Sequence, residues 1–383
     1  MRLIHTSDWH LGRTLHGESL LEYQRGFLCW LVELARDRRA DAVLVAGDVY
    51  DRAVPPTDAV ALLDDALAGL AAAGVPVVVT SGNHDSAIRL GFGSALQVAA
   101  GVHLRTKVAD LDRPVLLRDD AGELAVYGIP YLLPDAVMAE LGAQRSHESV
   151  LATAAERIRA DAAGRGISRT VAVGHAFVTG GAASDSERDI RVGGIGDAPA
   201  GVFAGITYTA LGHLHGAQQV APGVRYSGSP LPFSFSERDQ AKSVAVVDID
   251  AGGAVGVELV RTPVARPLRE VRGRLDELLA GAAGESSELR DCWVKVVLTD
   301  VSRPAAPMQR LRQVWPHTLL LEFRPEGVLP TASASVERAA STTDPVEMCS
   351  DFLEWVDATR PDKKQLDVIT AALDAVARQE LSA

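Results

Sequence analysis

Residues 42–51, AVLVAGDVYD, decide the fold: an unbroken apolar run ends abruptly at Gly47 and Asp48. A short continuous apolar run of this kind is the signature of a strand buried on both faces, here delivering a carboxylate at its carboxyl end. The pattern recurs on either side. RLIHTS (2–7) runs into Asp8 and His10, and VPVVVTSG (75–82) runs into Asn83, His84 and Asp85. Helical stretches from about Glu18 to Asp37 and from about Thr57 to Ala73 lie between them, the second opened by Pro55-Pro56. This β-α-β-α-β alternation predicts a mostly parallel sheet with helices on its faces.

Further along, LAVYGIP (124–130), RTVAVGH (169–175) and ITYTALGHLH (206–215) read as strands, with helices over 134–141 and 147–164. The Gly-rich stretch 178–205 is too long for an ordinary connection and reads as a functional loop. Shorter strands follow near 216–227, 242–249 and 254–261. After Pro263 a strand (268–272), a helix (273–281), a strand (292–299), a helix (305–315) and a strand (318–324) predict a small α+β domain. PEGVLPTASASVERAASTTD (325–344) has the composition of a linker. In the tail, Phe352-Leu353-Trp355-Val356 and Leu366-Ile369-Leu373-Val376 mark two amphipathic helices that read as a docking element. The plainer alternative makes Trp355 and Leu373 the core of a small helical subdomain. The expected domains are 1–264, 265–325, a linker at 326–344 and a helical segment at 345–383.

The chain has 383 residues, 47% apolar and 23% charged, an ordinary globular balance with ample material for a core. Cys29, Cys292 and Cys349 are odd in number, far apart and without metal-type spacing, as expected of reduced thiols in a cytosolic protein. The opening MRLIHTSDWH turns polar too soon for a signal peptide, and no apolar run approaches the roughly 18–20 residues of a membrane span. The expected location is therefore cytoplasmic. A net charge of −12 weighs against a nucleic-acid binder. Divalent cations at a carboxylate-rich site would reverse the local field, and basic side chains on one face, or a partner, would supply the remaining affinity.

Asp8, His10, Asp48, Asn83, His84, Asp85, His175, His213 and His215 all fall at or just beyond a strand's carboxyl end, where α/β sheets bind ligands. The reading places them together on one edge of one sheet. A glycine precedes several of them, allowing a sharp strand exit. A single His is more often structural, and His5, His16, His103, His147 and His317 are left in that class; D-x-H or G-D alone is weak. The ordered set D-x-H, GD, GNHD, GH and GHxH is another matter, since these residues make a poor core. The donors are imidazole, carboxylate and amide with no thiolate, which suits Mn²⁺, Fe²⁺ or Zn²⁺ at five or six coordination. One ion would take Asp8, His10, Asp48 and His215. The other would take Asp48, Asn83, His175 and His213, with Asp48 bridging ions about 3.5–4 Å apart. Two such cations neutralise a phosphodiester, orient it for in-line attack and lower the pKa of a bridging water. His84 is not needed as a ligand and is assigned to protonate the leaving oxygen, with Asp85 or Asp51 fixing its tautomer.

This ordered set resembles the calcineurin-like metallophosphoesterase superfamily. With MRLIHTSDWHLGR, VAGDVYD, SGNHD, SDSERDIRVGG (184–194), ALGHLH and VRYSGSPLP (224–232), the chain resembles over its whole length the SbcD family of bacterial nuclease subunits. The resemblance implies a sandwich of β-sheets flanked by helices, a small capping domain that contacts DNA, and tail helices that bind an SbcC-type SMC-like ATPase. It implies metal ligands at Asp8, His10, Asp48, Asn83, His175, His213 and His215, a catalytic His84, and two Mn²⁺, other divalent ions being possible. It further implies a homodimer formed through helical segments within about 56–100, inside a heterotetramer, and a 178–205 loop that reorganises when the ATPase engages DNA. The expected activity is exonuclease on double-stranded DNA ends and endonuclease on hairpins and single strands, in end processing, recombination and repair, at the nucleoid. Arg13, Arg52, Arg89, Arg188 and Arg191 are candidate phosphate contacts, against the bland reading of solvated surface charge. A phosphatase or cyclic-nucleotide phosphodiesterase would share the ligands but lack the extra domain and tail. A non-catalytic scaffold would show eroded ligands, above all at His84.

Overall fold

The Ala42–Ala46 strand is buried at all five positions because its two faces enter two different cores. Ala42, Leu44 and Ala46 face a second sheet, whereas Val43 and Val45 meet helices. Leu3 and Ile4, and Val78 with its neighbours Val77 and Val79, divide the same way. A strand with no solvent face has no reason to alternate polar and apolar residues, hence the continuous runs. The computed structural model describes residues 1–187, 197–263, 266–281, 285–326, 344–357 and 359–380. Arg188, Arg191, most of the linker and the side chains of Trp355, Val356 and Val376 lie outside the described residues.

The first unit, Met1–Ala265, is built on two six-stranded sheets. In the first the order is Val255–Arg261, Ser243–Ile249, Arg2–Thr6, Ala42–Ala46, Val77–Thr80, Val102–Arg105. The four strands from Arg2–Thr6 onward in that order are parallel, and Ser243–Ile249 and Val255–Arg261 add antiparallel at one edge. The second runs Gln218–Ala221, Val224–Tyr226, Tyr208–Gly212, Arg169–His175, Gly122–Ile129, Val115–Asp119, parallel in the middle and antiparallel at both edges. Leu3, Leu44, Val78, Val126, Val171, Val173, Tyr208, Ala210 and Val247 fill the space between the sheets. Outside the first sheet, Leu21–Asp37 buries Gln24, Phe27, Leu28, Leu31, Leu34 and Ala35, and Thr57–Ala72 buries Ala59, Leu62, Leu63, Ala66 and Leu70. These i, i+3, i+4, i+7 spacings give each helix one core-facing stripe. His147–Arg165 covers the second sheet with Val150, Leu151, Ala154 and Ile158. The result is a helix–sheet–sheet–helix sandwich.

Three sequence expectations change. The metal-type residues do not share one sheet edge: Asp8, Asp48 and Asn83 follow strands of the first sheet, and His175, His213 and His215 end or follow strands of the second. The sheets lie face to face, so the two carboxyl edges meet. The helix expected from Glu18 begins at Leu21, because Thr14–Leu15 pairs with Glu18–Ser19 in a hairpin. Its turn, His16-Gly17, has both residues at positive φ, as a two-residue hairpin turn requires. The strands Val102–Arg105 and Val115–Asp119 were not foreseen; both are sheet edges with alternating exposure and so lack an apolar run.

The second unit, Arg266–Ala383, contains a three-stranded parallel sheet of Leu268–Gly273, Trp293–Leu298 and Thr318–Phe323. Val294, Val296 and Leu298 pack with Leu275, Leu311 and Trp315 from the Leu275–Gly281 and Pro307–Val314 region. Two helices, Pro345–Asp357 and Lys363–Glu380, complete it. No helix among the described residues is long and apolar enough to cross a membrane.

Candidate metal centre

Tight exits from the central strands bring the polar residues together. Asp8, His10, Asp48 and His213 all have positive φ, a conformation that L-residues adopt at a cost and that clusters at functional sites. Two glycines make the packing possible. A Cβ on Gly82 would stand 2.1 Å from Asp48 Oδ1, and one on Gly47 would stand 2.6 Å from His175 Nδ1.

Asp48 lies at the centre and is 2% exposed. Its Oδ2 is 3.6 Å from His10 Nε2, 3.4 Å from His175 Nε2 and 4.0 Å from His84 Nε2. On one side, His10 Nε2 faces His215 Nε2 at 3.3 Å, and Asp8 groups with this pair. On the other, Asn83 Oδ1 is 2.9 Å from His175 Nε2 and 3.3 Å from His213 Nδ1. The Asp8 carboxylate accepts from the Ser7 hydroxyl at 2.5 Å and from the His213 backbone N–H at 3.1 Å.

This donor set fits divalent cations. His175 Nδ1 meets the Ala46 carbonyl at 3.0 Å, so that nitrogen carries the proton and Nε2 presents a lone pair to the site. Burial, then neighbouring charges including His215 and His213 respectively, push His10 and His175 well below the usual imidazole range, leaving them neutral ligands. Burial pushes the Asp8 carboxyl up to about 6, against the pull of His215, Ser7 and the His213 amide. A bound cation would supply the missing counter-charge.

Residues 1–145 match the family model of the calcineurin-like phosphoesterases, and residues 264–356 match the type 5 capsule protein repressor C-terminal domain, SbcD_C. The chain is an SbcD-type member of the metallophosphoesterase superfamily. It is thus a hydrolase, a metal-dependent phosphoesterase that binds divalent ions. Among solved structures, TT1561 of Thermus thermophilus is 15% identical over 68% of this chain and 99% of its own, at a TM-score of 0.41. Another is 13% identical over 67% of this chain and 98% of its own, at 0.39.

His84, Asp85, Arg13, Arg52 and Arg89 lie in or beside the loops around this centre. His84 donates its backbone N–H to Asp48 Oδ1 at 2.8 Å, and its Nδ1 meets the Asp51 backbone carbonyl at 2.7 Å. Asp85, expected to act beside His84, turns its carboxylate toward the backbone of the neighbouring loop. Its carboxylate accepts from the backbone amides of Val49, Tyr50 and Gly82 at 2.8–3.1 Å, and so holds the loop beyond Asp48. Of the two partners offered for His84, Asp51 is the one at its ring, through the backbone. Arg13 lies with its guanidinium 4.8 Å over Phe233 and 3.5 Å from Asp51 Oδ1. Arg52 pairs with Asp51 at 4.0 Å, and Arg89 donates to the Ala53 carbonyl at 3.3 Å. Three of the five candidate arginines therefore gather at one loop beside His84.

Several residues escaped the sequence reading. Gln24 is buried in Leu21–Asp37 and donates to the carbonyls of Trp9 (3.1 Å) and His10 (2.7 Å) while accepting from Gly12 N–H (3.1 Å). It clamps the loop that carries His10. Phe233 packs edge-on to His10 and His215, Phe177 to His213 and Tyr131 to His175. Glu237 and Lys242 are buried behind His215. Burial pushes the Glu237 carboxyl up, but the His215 ring and the Lys242 ammonium outweigh it and hold it below its ordinary range. One signal was available: Ser-Glu-Arg-Asp occurs at both 186–189 and 236–239, and both glutamates reach His215.

Proposed function

We propose that this chain is a Mn²⁺-dependent DNA nuclease that cuts double-stranded ends exonucleolytically and opens hairpins and single strands endonucleolytically. It would act in the cytoplasm at the nucleoid, with an SbcC-type ATPase, in end processing, recombination and repair. The observation that carries the reading is the convergence of two donor groups on Asp48: Asp8, His10 and His215 on one side, Asn83, His175 and His213 on the other. When bound, two divalent cations supply charge neutralisation of the phosphodiester and activation of the attacking water. His84 stands beside Asp48, its Nδ1–H held by the Asp51 carbonyl and its Nε2 toward the site, where a proton for the leaving oxygen is needed. Arg13, Arg52 and Arg89 surround the adjoining loop and would contact phosphates locally despite the acidic whole.

Incubation of the purified chain with Mn²⁺ and a labelled hairpin duplex, with and without the ATPase and beside a His84→Ala control, tests this. Mn²⁺- and His84-dependent cutting is expected. Hydrolysis of a small diester with no cutting of DNA under any condition would transfer the reading to a small-substrate phosphodiesterase.

The assembly reading rests on exposed apolar side chains. Ile88, Phe92 and Leu96 are each more than 80% exposed within the 56–100 region assigned to a homodimer contact. In the tail, Phe352 and Val368 are more than half exposed on amphipathic helices assigned to the ATPase. Phe352→Asp with Val368→Asp is expected to change folding stability by no more than about 0.5 kcal/mol, as surface changes do, yet to abolish co-purification with the ATPase. Retained co-purification would remove the tail from the docking site.

A further inference from the structure

His215 is gripped at three points. Its backbone N–H donates to Glu187 Oε1 at 2.8 Å. Its backbone carbonyl accepts from Lys242 Nζ at 3.0 Å. Its ring Nδ1 lies 3.2 Å from Glu237 Oε1 and 2.6 Å from the Ser186 hydroxyl. Glu237 and Lys242 are themselves joined at 2.5 Å, and both are buried, at 1% and 5% exposed. Lys242 also donates to Ser229 Oγ and Gln240 Oε1, and Glu237 Oε2 accepts from the Phe233 amide. Ser186 also donates to Glu237 Oε1, and its carbonyl accepts from Arg13.

A buried ion pair is a poor device for stability, because desolvation consumes most of its attraction. This one links the ring of His215 to that residue's own carbonyl. A carboxylate can only accept, so the ring nitrogen facing Glu237 must carry a proton, and Nε2 is left as a lone pair aimed at His10 and the cluster with Asp8. We propose that Glu237 is a positioning residue. It fixes His215 in the Nδ1–H tautomer, Lys242 ties the Glu237 carboxylate to the His215 backbone carbonyl, and the Ser184–Glu187 segment is strapped to the same histidine. Metal affinity on the Asp8–His10–His215 side therefore depends on that segment being docked. Ser184 adds to the strap by donating its amide and hydroxyl to Glu187 Oε2, at 2.7 and 2.6 Å. The inference rests on the metal-centre reading above.

The test is titration of Mn²⁺ into chelator-stripped full-length protein, comparing wild type, His215→Ala and the pair Glu237→Gln with Lys242→Met, which leaves no charge buried alone. The paired variant is expected to weaken one of two Mn²⁺ sites by about 10–100-fold, the usual worth of an outer partner of a metal-bound histidine, and to leave the other unchanged. Nitrogen NMR of the stripped protein should show the His215 proton leaving Nδ1 for a mixture of tautomers, which loss of packing alone would not produce. Wild-type affinity and tautomer in a folded paired variant, with one site lost in His215→Ala, would overturn the positioning role and leave the metal centre standing. Two intact sites in His215→Ala would overturn the metal reading itself. If the paired variant does not fold, Glu237→Asp carries the same test: it keeps the charge and withdraws the carboxylate by one methylene, and unchanged affinity there would refute the proposal.

Discussion

Asp48→Ala is expected to strip the protein of both divalent ions and to take hydrolysis of a small phosphodiester below detection. The reason is geometric. One carboxylate serves both sides of the centre, with Oδ2 within 3.6 Å of His10 Nε2 and 3.4 Å of His175 Nε2, while Oδ1 accepts the His84 N–H at 2.8 Å. Its removal leaves either side one donor short and removes the anion between them. Each ion should be held more weakly by more than the roughly 10–100-fold that an outer partner is worth. Alanine also adds some strain, because residue 48 has φ +48, a left-handed conformation that Asp and Asn tolerate better than Ala. Asp48→Asn separates the two effects: asparagine tolerates that backbone and still accepts from His84, but carries no charge. Metal analysis after dialysis against trace Mn²⁺ should find both ions lost from the alanine variant and both weakened in the asparagine variant. Two equivalents of Mn²⁺ on either variant would refute the shared-ligand scheme.

Why was so much of this centre legible in sequence? Each contributing strand is short, almost wholly buried, and ended or followed by a polar residue of a kind that makes a poor core. AVLVA stops at Asp48, VVVT leads to Asn83, and RTVAVGH stops at His175. Local pattern alone then states both the element and the place where its chemistry emerges. The partition into two sheets was not legible from such runs. A strand buried against a second sheet and a strand buried against a helix have the same composition, so nothing in 169–175 says that it belongs opposite 42–46 and not beside it. The edge strands Val102–Arg105 and Val115–Asp119 were invisible for the opposite reason, half exposure having broken their apolar runs.

The supporting residues were harder still. Gln24 lies in a helix whose apolar stripe reads the same with or without it, and its value comes from the loop it meets, 12–15 residues away in sequence. Glu237 and Lys242 look like surface charges in a polar stretch. Only the fold puts them under His215. Asp85 shows the converse: adjacency to His84 in GNHD suggests a catalytic dyad, whereas the contacts its carboxylate makes with the Val49, Tyr50 and Gly82 amides come from the fold and not from that adjacency.

His84→Ala should separate binding from turnover. The metal centre ought to survive, because the contact from residue 84 to Asp48 Oδ1 is made by the backbone N–H and not by the ring. What is lost is the imidazole whose Nδ1 is fixed on the Asp51 carbonyl and whose Nε2 stands 4.0 Å from Asp48 Oδ2. A backbone carbonyl can hold Nδ1–H whether or not Nε2 is protonated, so the ring keeps one orientation while its outer nitrogen gives up and regains a proton. General acid catalysis is worth about 10²–10⁴-fold, or about 3–5 kcal/mol of barrier, and kcat is expected to fall by that amount with Mn²⁺ content unchanged. The leaving group provides the sharper measurement. A diester that expels an acidic phenol needs little protonation and should lose far less in the variant than one that expels an alkoxide such as a deoxyribose oxygen. An equal loss for both substrates, with full metal occupancy, would mean that His84 stabilises the phosphoryl group instead of protonating the departing oxygen; loss of metal would mean that the ring is itself a ligand.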